Sequence, residues 1–471
     1  MALSETLADF FGFEEYDTDL RTEILAGVTT FLTMSYIVVV NPQILTNQPK
    51  DGGFTDGISL AGYTAGEVEQ MLAVVTILAA AVAIFVMAFY ANRPFAQAPG
   101  LGLNAFFAFT VVGAMGIPWR TALAAVVVEG LVFIALTAIG AREYIISLFP
   151  EPVKFSVGTG IGLFLAIIGL QSMGVVAADQ ATMVTLGHLA QNPAAILSIV
   201  GLFFTFGLYA RGVPGSIIIG IVATTLVGWG LTFAGVTPAG VLAPKTIPSA
   251  QYNIAPLVGA FLGGLADVEA LSFALVVFTF FFVDFFDTAG TLTGVSQIAG
   301  FLDEDGDLPD ADRPLMADAI GTTVGGILGT STVTTYIESA AGVEEGGRTG
   351  MTAFVVGVLF LLSLAVVPLA AAIPQYASHI ALVVVAVIML TNVTDIEWDD
   401  LTHAVPAGLT IIVMPFTYSI AYGIAAGIVS YPLVKTAVGE YDDLHVGQWL
   451  LAAAFVLYFF VRTSGVLTGA V

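Results

Sequence analysis

Apolar runs, each of roughly 17 to 25 residues, recur along almost the whole chain, and each is long enough to cross a hydrocarbon layer of about 30 Å as a helix. Hydrophobic side chains make up 57% of the 471 residues, charged ones 10%, and the mean hydropathy is +0.95. That leaves too little polar surface for a water-soluble fold of this size. The expected fold class is therefore an all-α polytopic membrane protein, and a soluble enzyme is excluded.

The runs fall into two sets. Residues 1–21 are acidic and polar, lack the basic start and short apolar core of a secretory signal, and are expected to form a cytoplasmic N-terminus. Spans are predicted at about 22–43, 70–90, 98–113, 118–139, 153–174, 194–209 and 214–234. A polar, Pro-containing connection at 236–255 precedes a second set at about 268–293, 314–330, 331–345, 349–370, 377–393, 401–418 and 420–437. The two halves are thus 22–235 and 256–437, followed by a tail at 438–471. Within the tail, the run Trp449 to Val461 is short for a crossing, which leaves open a further span or an interfacial helix.

Basic residues orient the chain, because short cytoplasmic loops carry the Lys/Arg excess. With the N-terminus inside, Arg21, Arg93, Arg142, Lys154, Arg211, Arg313, Arg348 and Lys435 fall on the cytoplasmic side, against Lys50, Arg120 and Lys245 outside. Seven spans per half is an odd number, so the second half enters from the opposite side, as two halves of an inverted repeat do. The third span of each half is broken: residues 98–107 hold Pro99, Gly100 and Gly102, and residues 329–338 hold a Ser/Thr-rich, β-branched run. Both compositions disfavour a continuous helix, and each reads as an extended stretch leading into a half-helix. Such backbone is tolerated at membrane depth only where it is buried in protein or lines a water-filled space, so the pair points to a central binding site.

Charge narrows the function. Twelve Lys and Arg against 36 Asp and Glu give a net charge of -24, a field that opposes binding to nucleic acid. The acids crowd into loops such as 303–307 and 395–400, as expected of a salt-adapted, halophilic organism. With no Cys, and His only at 188, 379, 403 and 445, neither thiolate chemistry nor a clustered metal site is expected.

Acids within the spans are the candidate functional groups, since each is unfavourable at mid-depth by roughly 2.5 to 3.5 kcal/mol. Asp284 and Asp287 lie in FTFFFVDFFDTAGTL, residues 278–292; Asp287 and Thr291 share a helical face, and Asp284 is turned from Asp287 by about 60°. Glu338 follows the second broken stretch directly, where the free N–H groups of a helix start would favour its charge. Glu129 lies in an unbroken span and reads as a structural hydrogen-bonding partner for a neighbouring helix. Asn104, in the first broken stretch, offers both donors and an acceptor suited to the edge of a planar heterocycle.

Four stretches carry a family resemblance: RTEILAGVTTFLTMSYIVVVNPQIL from Arg21, NRPFAQAPGLGLNAFFAF from Asn92, FVDFFDTAGTLTGVSQIAG from Phe282 and ADAIGTTVGGILGTSTVTTYIESAAGVEEGGRTG from Ala317. The chain resembles the AzgA-like purine permeases of the nucleobase-cation symporter superfamily, over nearly its whole length. The resemblance implies fourteen segments in two inverted repeats, divided into a core and a gate domain, with short strands in segments three and ten. It implies a site built from Asn104, Asp287, Thr291, Tyr336, the backbone of Ile337, and Glu338. It favours Asp287 over Asp284, because Asp287-Thr288-Ala289-Gly290-Thr291 fits the family spacing. Related carriers often pair as a homodimer.

The expected function is import of adenine, guanine or hypoxanthine across the plasma membrane by symport, with no cofactor. The coupling ion is expected to be H+, carried by Asp287 or Glu338; the sequence does not choose between them, and Na+ stays open. Uracil, xanthine or ascorbate transport on the same fold is the first alternative. Inorganic anion exchange is disfavoured because both acids would repel an anion. An intramembrane aspartyl protease lacks its Tyr-Asp and Gly-x-Gly-Asp contexts here.

Overall fold

Helix boundaries follow local chemistry. At Thr64 the hydroxyl accepts from the amide of Glu67 while the Glu67 carboxylate accepts from the amide of Thr64, a reciprocal cap that starts the helix Ala65–Val86. Its last turn widens over Met87–Ala91 and stops at Asn92, in the left-handed region with φ 49°. Asn92 then ties three elements together: its amide donates to Phe11 O at 3.1 Å and accepts from Gly350 N at 2.8 Å.

The computed structural model describes residues 2–46, 57–140, 149–179, 181–245, 250–266, 268, 270–303 and 308–463. Lys50, Arg142 and the loop acids at 304–307 lie outside them. Among the described residues, nine helices are long and apolar enough to cross a membrane: Leu20–Thr46, Ala65–Ala91, Trp119–Ala138, Glu151–Ser172, Ser216–Phe233, Phe273–Ala299, Gly350–Ala370, Gln375–Asp395 and Ile420–Val438. The protein is a multi-pass membrane protein. Shorter apolar helices at Leu101–Ala114, Pro193–Tyr209 and Leu401–Thr417 fall where spans are expected. The tail run is one helix, Val446–Thr463, packed along Ile420–Val438.

Packing divides the helices into two sets. In one, Trp119–Ala138 and Ala65–Val86 both pack on Asp312–Leu328, Leu20–Met34 packs on Gly350–Ser363, and Ala270–Ala299 packs on Trp119–Ala138. In the other, Glu151–Ser172 packs on Leu401–Thr417 and Ile380–Met389, and Pro193–Tyr209 packs on Ser216–Phe233. A hydrogen bond crosses between the sets: Thr110, on the segment Phe106–Ala114 that packs on Trp119–Ala138, donates at 2.7 Å to the carbonyl of Tyr418, which closes Leu401–Thr417.

Within the first set, Glu23 is fully buried on Leu20–Met34. Its carboxylate accepts from the amides of Arg348 at 3.0 Å and Thr352 at 3.1 Å and from the Thr352 hydroxyl at 2.6 Å, closing the N-terminus of Gly350–Ser363. Glu23→Ala strands these donors in an apolar surround, at a cost of about 1 to 3 kcal/mol for each unsatisfied group. The expected result is a lower thermal unfolding midpoint in detergent; an unchanged midpoint would remove this role.

Candidate functional site

Extended backbone appears where composition opposes a helix. Gln97–Pro99 forms β1, and the β-branched run Val333–Thr335 forms a second strand; a separate hairpin, Val176–Asp179 with Met183–Leu186, lies between them in the chain as β2 and β3, so the second strand is β4. β1 and β4 pair antiparallel with Gln97 opposite Thr335, Ala98 opposite Thr334 and Pro99 opposite Val333. The pairing is extended at both ends, by Gly100 N to Thr332 O at 3.0 Å and Tyr336 N to Ala96 O at 2.9 Å. Both strands are buried, and each leads into a short helix, Leu101–Ala105 and Ser339–Glu344. Pairing one broken segment with the other satisfies backbone groups that lipid could not.

Gly100 sits at the junction of β1 with its helix. A β-carbon there would lie 2.6 Å from Thr334 Cγ2 and 3.7 Å from Asp287 Oδ2. The carboxylate of Asp287 therefore reaches over this junction. Asp287, Thr291 and Glu338 are each partly accessible, and Ile337 is 38% exposed, so a polar face remains open beside the ribbon. Asp287 and Glu338 lie within Coulombic reach of one another, and Tyr336 within reach of both. The Tyr336 hydroxyl donates to Pro99 O at 2.5 Å, bracing β1 from the β4 side.

Two positions differ in detail from the sequence expectation. Glu338 stands at the start of its helix, but its side chain makes no capping bond; it accepts instead from the hydroxyl of Tyr36 at 2.6 Å. Tyr36 is fully buried at the interruption between Leu20–Met34 and Ile37–Thr46. Asn104 is also fully buried, and its amide is engaged within the protein, donating to Pro99 O at 3.2 Å and accepting from Ser331. In this conformation Asn104 joins the two broken segments.

Asp284 lies on the buried side of its helix, at 0% exposure, among aromatic pairs such as Phe133 with Phe285 and Phe106 with Phe280. Glu129 accepts from Thr332 at 3.3 Å, so its partner lies in the extended stretch before β4 and not on a neighbouring helix as its unbroken span suggests. Asp318 is a fully buried acid that the sequence reading passes over; it accepts from Gln97 and Thr335 at 3.0 Å and from Thr288 at 2.8 Å. The available signal was a lone acid among small residues in ADAIGTTVGG, the stretch carrying the family resemblance.

The sequence pattern of the xanthine/uracil permease type, described as Permease family, matches residues 21–426. The chain belongs to that family. Similar to this permease are adenine permease AdeQ of Escherichia coli, 39% identical over 96% of this chain and 96% of its own, and guanine/hypoxanthine permease PbuG of Bacillus subtilis, 40% identical over 96% and 98%. Among solved structures, the transmembrane domain of the cyanobacterial bicarbonate transporter BicA superposes with a TM-score of 0.60 at 16% identity, covering 87% of this permease and 97% of that domain. That likeness shows the fold alone.

Proposed function

We propose that this permease imports purine nucleobases by proton symport, with the base held between the two strand-to-helix junctions. The observation that carries this reading is the placement of Asp287 over the β1 junction and of Glu338 directly after β4, both partly accessible beside the β1/β4 ribbon. A purine offers N–H donors and ring acceptors; the carboxylates accept from the donors, and the hydroxyl of Thr291 and the backbone at Ile337 complete the edge. Asn104 acts by holding both junctions in register. Relatives named for adenine and for guanine/hypoxanthine support the substrate class. Two acids in the site argue against anion exchange, which wants positive potential.

The same reading takes the architecture as fourteen segments in two inverted repeats, with the first packing set as core, the second as gate, and the N-terminus cytoplasmic. Moving the core against the gate breaks and remakes contacts such as Thr110 with Tyr418. Uptake of labelled adenine into vesicles, with unlabelled guanine, hypoxanthine, uracil and xanthine as competitors, tests the substrate class. Changing pH and sodium separately tests the ion. Competition by uracil but not by purines would overturn the purine assignment.

Tyr36→Phe isolates one positioning contact. It removes only the hydroxyl that holds Glu338, a hydrogen bond to a charged group worth about 1.5 to 3 kcal/mol, so base affinity falls roughly 10- to 100-fold. Equilibrium binding of labelled adenine measures it; unchanged affinity would mean that Glu338 does not meet the base.

A further inference from the structure

The helix Ala270–Ala299 changes character at Asp287. In the half before it, Phe280, Phe281, Phe282, Val283, Phe285 and Phe286 are all buried. Rings from other elements cover them: the ring centre of Phe106 lies 5.0 Å from that of Phe280, Phe133 5.8 Å from Phe281 and Phe149 3.9 Å from Phe282. Thr279 and Asp284 are turned inward as well, the Thr279 hydroxyl donating to Leu275 O at 2.8 Å. The two packing sets also meet at this end, where Thr110, four residues beyond Phe106, donates to Tyr418 O.

The half after Asp287 is open. Thr291 and Gly294 are partly accessible, as Asp287 is, and Gly290, Thr293 and Gln297 are exposed. Asp287, Gly290, Thr291, Gly294 and Gln297 follow one another at helical spacing and share one face, which Thr293 flanks. From Asp287 to Gln297 the helix rises about 15 Å, half of a hydrocarbon layer of about 30 Å, so the face leads from mid-depth to the membrane surface. An exposed Thr and Gln on a membrane-spanning helix face water rather than acyl chains. The face is also flat. A β-carbon added at Gly290 would meet nothing within 4 Å among the described residues, and one added at Gly294 would meet Ile337 Cδ1 at 3.8 Å. Ile337, directly before Glu338, forms the facing wall.

We propose that the base passes between the site and the membrane surface along this face, and that Gly290 sets the size of ring admitted. Any side chain at position 290 projects into the gap beside Asp287 that a planar ring has to cross. With the N-terminus cytoplasmic, the helix reaches the cytoplasmic surface at Ala299, so the face is the release route, in a conformation sealed towards the other side by the aromatic half of the same helix. The identity of the cargo rests on the purine-carrier reading; the route does not.

The chain contains no Cys, so Gly290→Cys, Thr293→Cys and Gln297→Cys each introduce a single thiol. With the full chain in sealed vesicles, a membrane-impermeant maleimide is expected to label all three from the side on which Ala299 lies. It should spare Val200→Cys, which is exposed among Ile196, Phe203 and Phe204 on the apolar helix Pro193–Tyr209. Adenine at about ten times its dissociation constant should slow labelling at position 290 about tenfold and at position 297 less than about twofold. One methylene in a fitted pocket changes discrimination by roughly 10- to 200-fold, so Gly290→Val should lower adenine uptake more than about tenfold and Gly290→Ala by less. Both should keep the wild-type thermal midpoint, and Gly207→Val, at another helical glycine with open space around it, should keep wild-type uptake. Failure of positions 293 and 297 to label, labelling at 290 that bound adenine leaves unchanged, or wild-type uptake by Gly290→Val would each overturn the proposal. Absence of adenine binding in wild type would instead reject the purine-carrier reading, with labelling at 293 and 297 still deciding the route.

Discussion

Asp287→Asn is expected to abolish concentrative uptake. The substitution keeps the size of the side chain and removes its charge at the one place where a carboxylate lies 3.7 Å from the β-carbon position of Gly100 and within reach of Glu338. A bond from a base N–H to a carboxylate contributes about 1.5 to 3 kcal/mol, so base affinity should fall roughly 10- to 100-fold. An Asn cannot take up and release a proton, so the residual uptake should level off at equal concentrations on the two sides even under an imposed pH gradient. Labelled adenine in energised vesicles reads both effects, and accumulation against a gradient by the variant would reject the role of Asp287. Thr291→Val, one turn further on, removes a neutral hydroxyl and should have the smaller effect on affinity, with coupling intact.

Gly100→Val should weaken base binding by a different route. Its β-carbon would sit 2.6 Å from Thr334 Cγ2, inside any normal contact, and Thr334 cannot retreat without losing its bond to Thr288. Overpacking of this kind costs typically about 1 to 3 kcal/mol, and here the strain falls on the ribbon that orders the site. The expected result is a folded protein with base binding weakened by more than about tenfold, checked by thermal unfolding alongside labelled adenine binding. Wild-type affinity in a folded Gly100→Val protein would show that the junction does not shape the site.

Hydrophobic length made the nine long spans legible, and Pro99, Gly100 and the run Thr330 to Thr335 made the two breaks legible, because both signals are local. The matching positions of the breaks pointed to a shared central site, but not to the antiparallel pairing that joins them. The facing of Asp284 and Asp287 was not legible: a 3.6-residue period separates the two acids around the helix without saying which side is dry. Tertiary packing against Phe106 and Phe133 makes that choice. Tyr36 and Asp318 escaped notice because an aromatic residue and a single acid in apolar surroundings carry no periodic signature. Their roles come from partners some 300 and 30 residues away along the chain, Glu338 and Thr288. The β2/β3 hairpin falls between two predicted spans and carries no such signal, since its strands are four residues each, β3 exposed and β2 half so, without the alternation that marks a half-buried strand.

The antiparallel match between Gln97–Pro99 and Val333–Thr335 also constrains biosynthesis. When the first strand is inserted, the ribosome has yet to make its partner. The amides and carbonyls of residues 96–100 must wait, shielded from acyl chains by water, by neighbouring helices or by the insertion machinery, until Tyr336 has been translated. A nascent chain stopped before Val333 should therefore be held by the translocon or cleared by membrane quality control, and one stopped after Glu344 should be the first to acquire a protease-resistant central site.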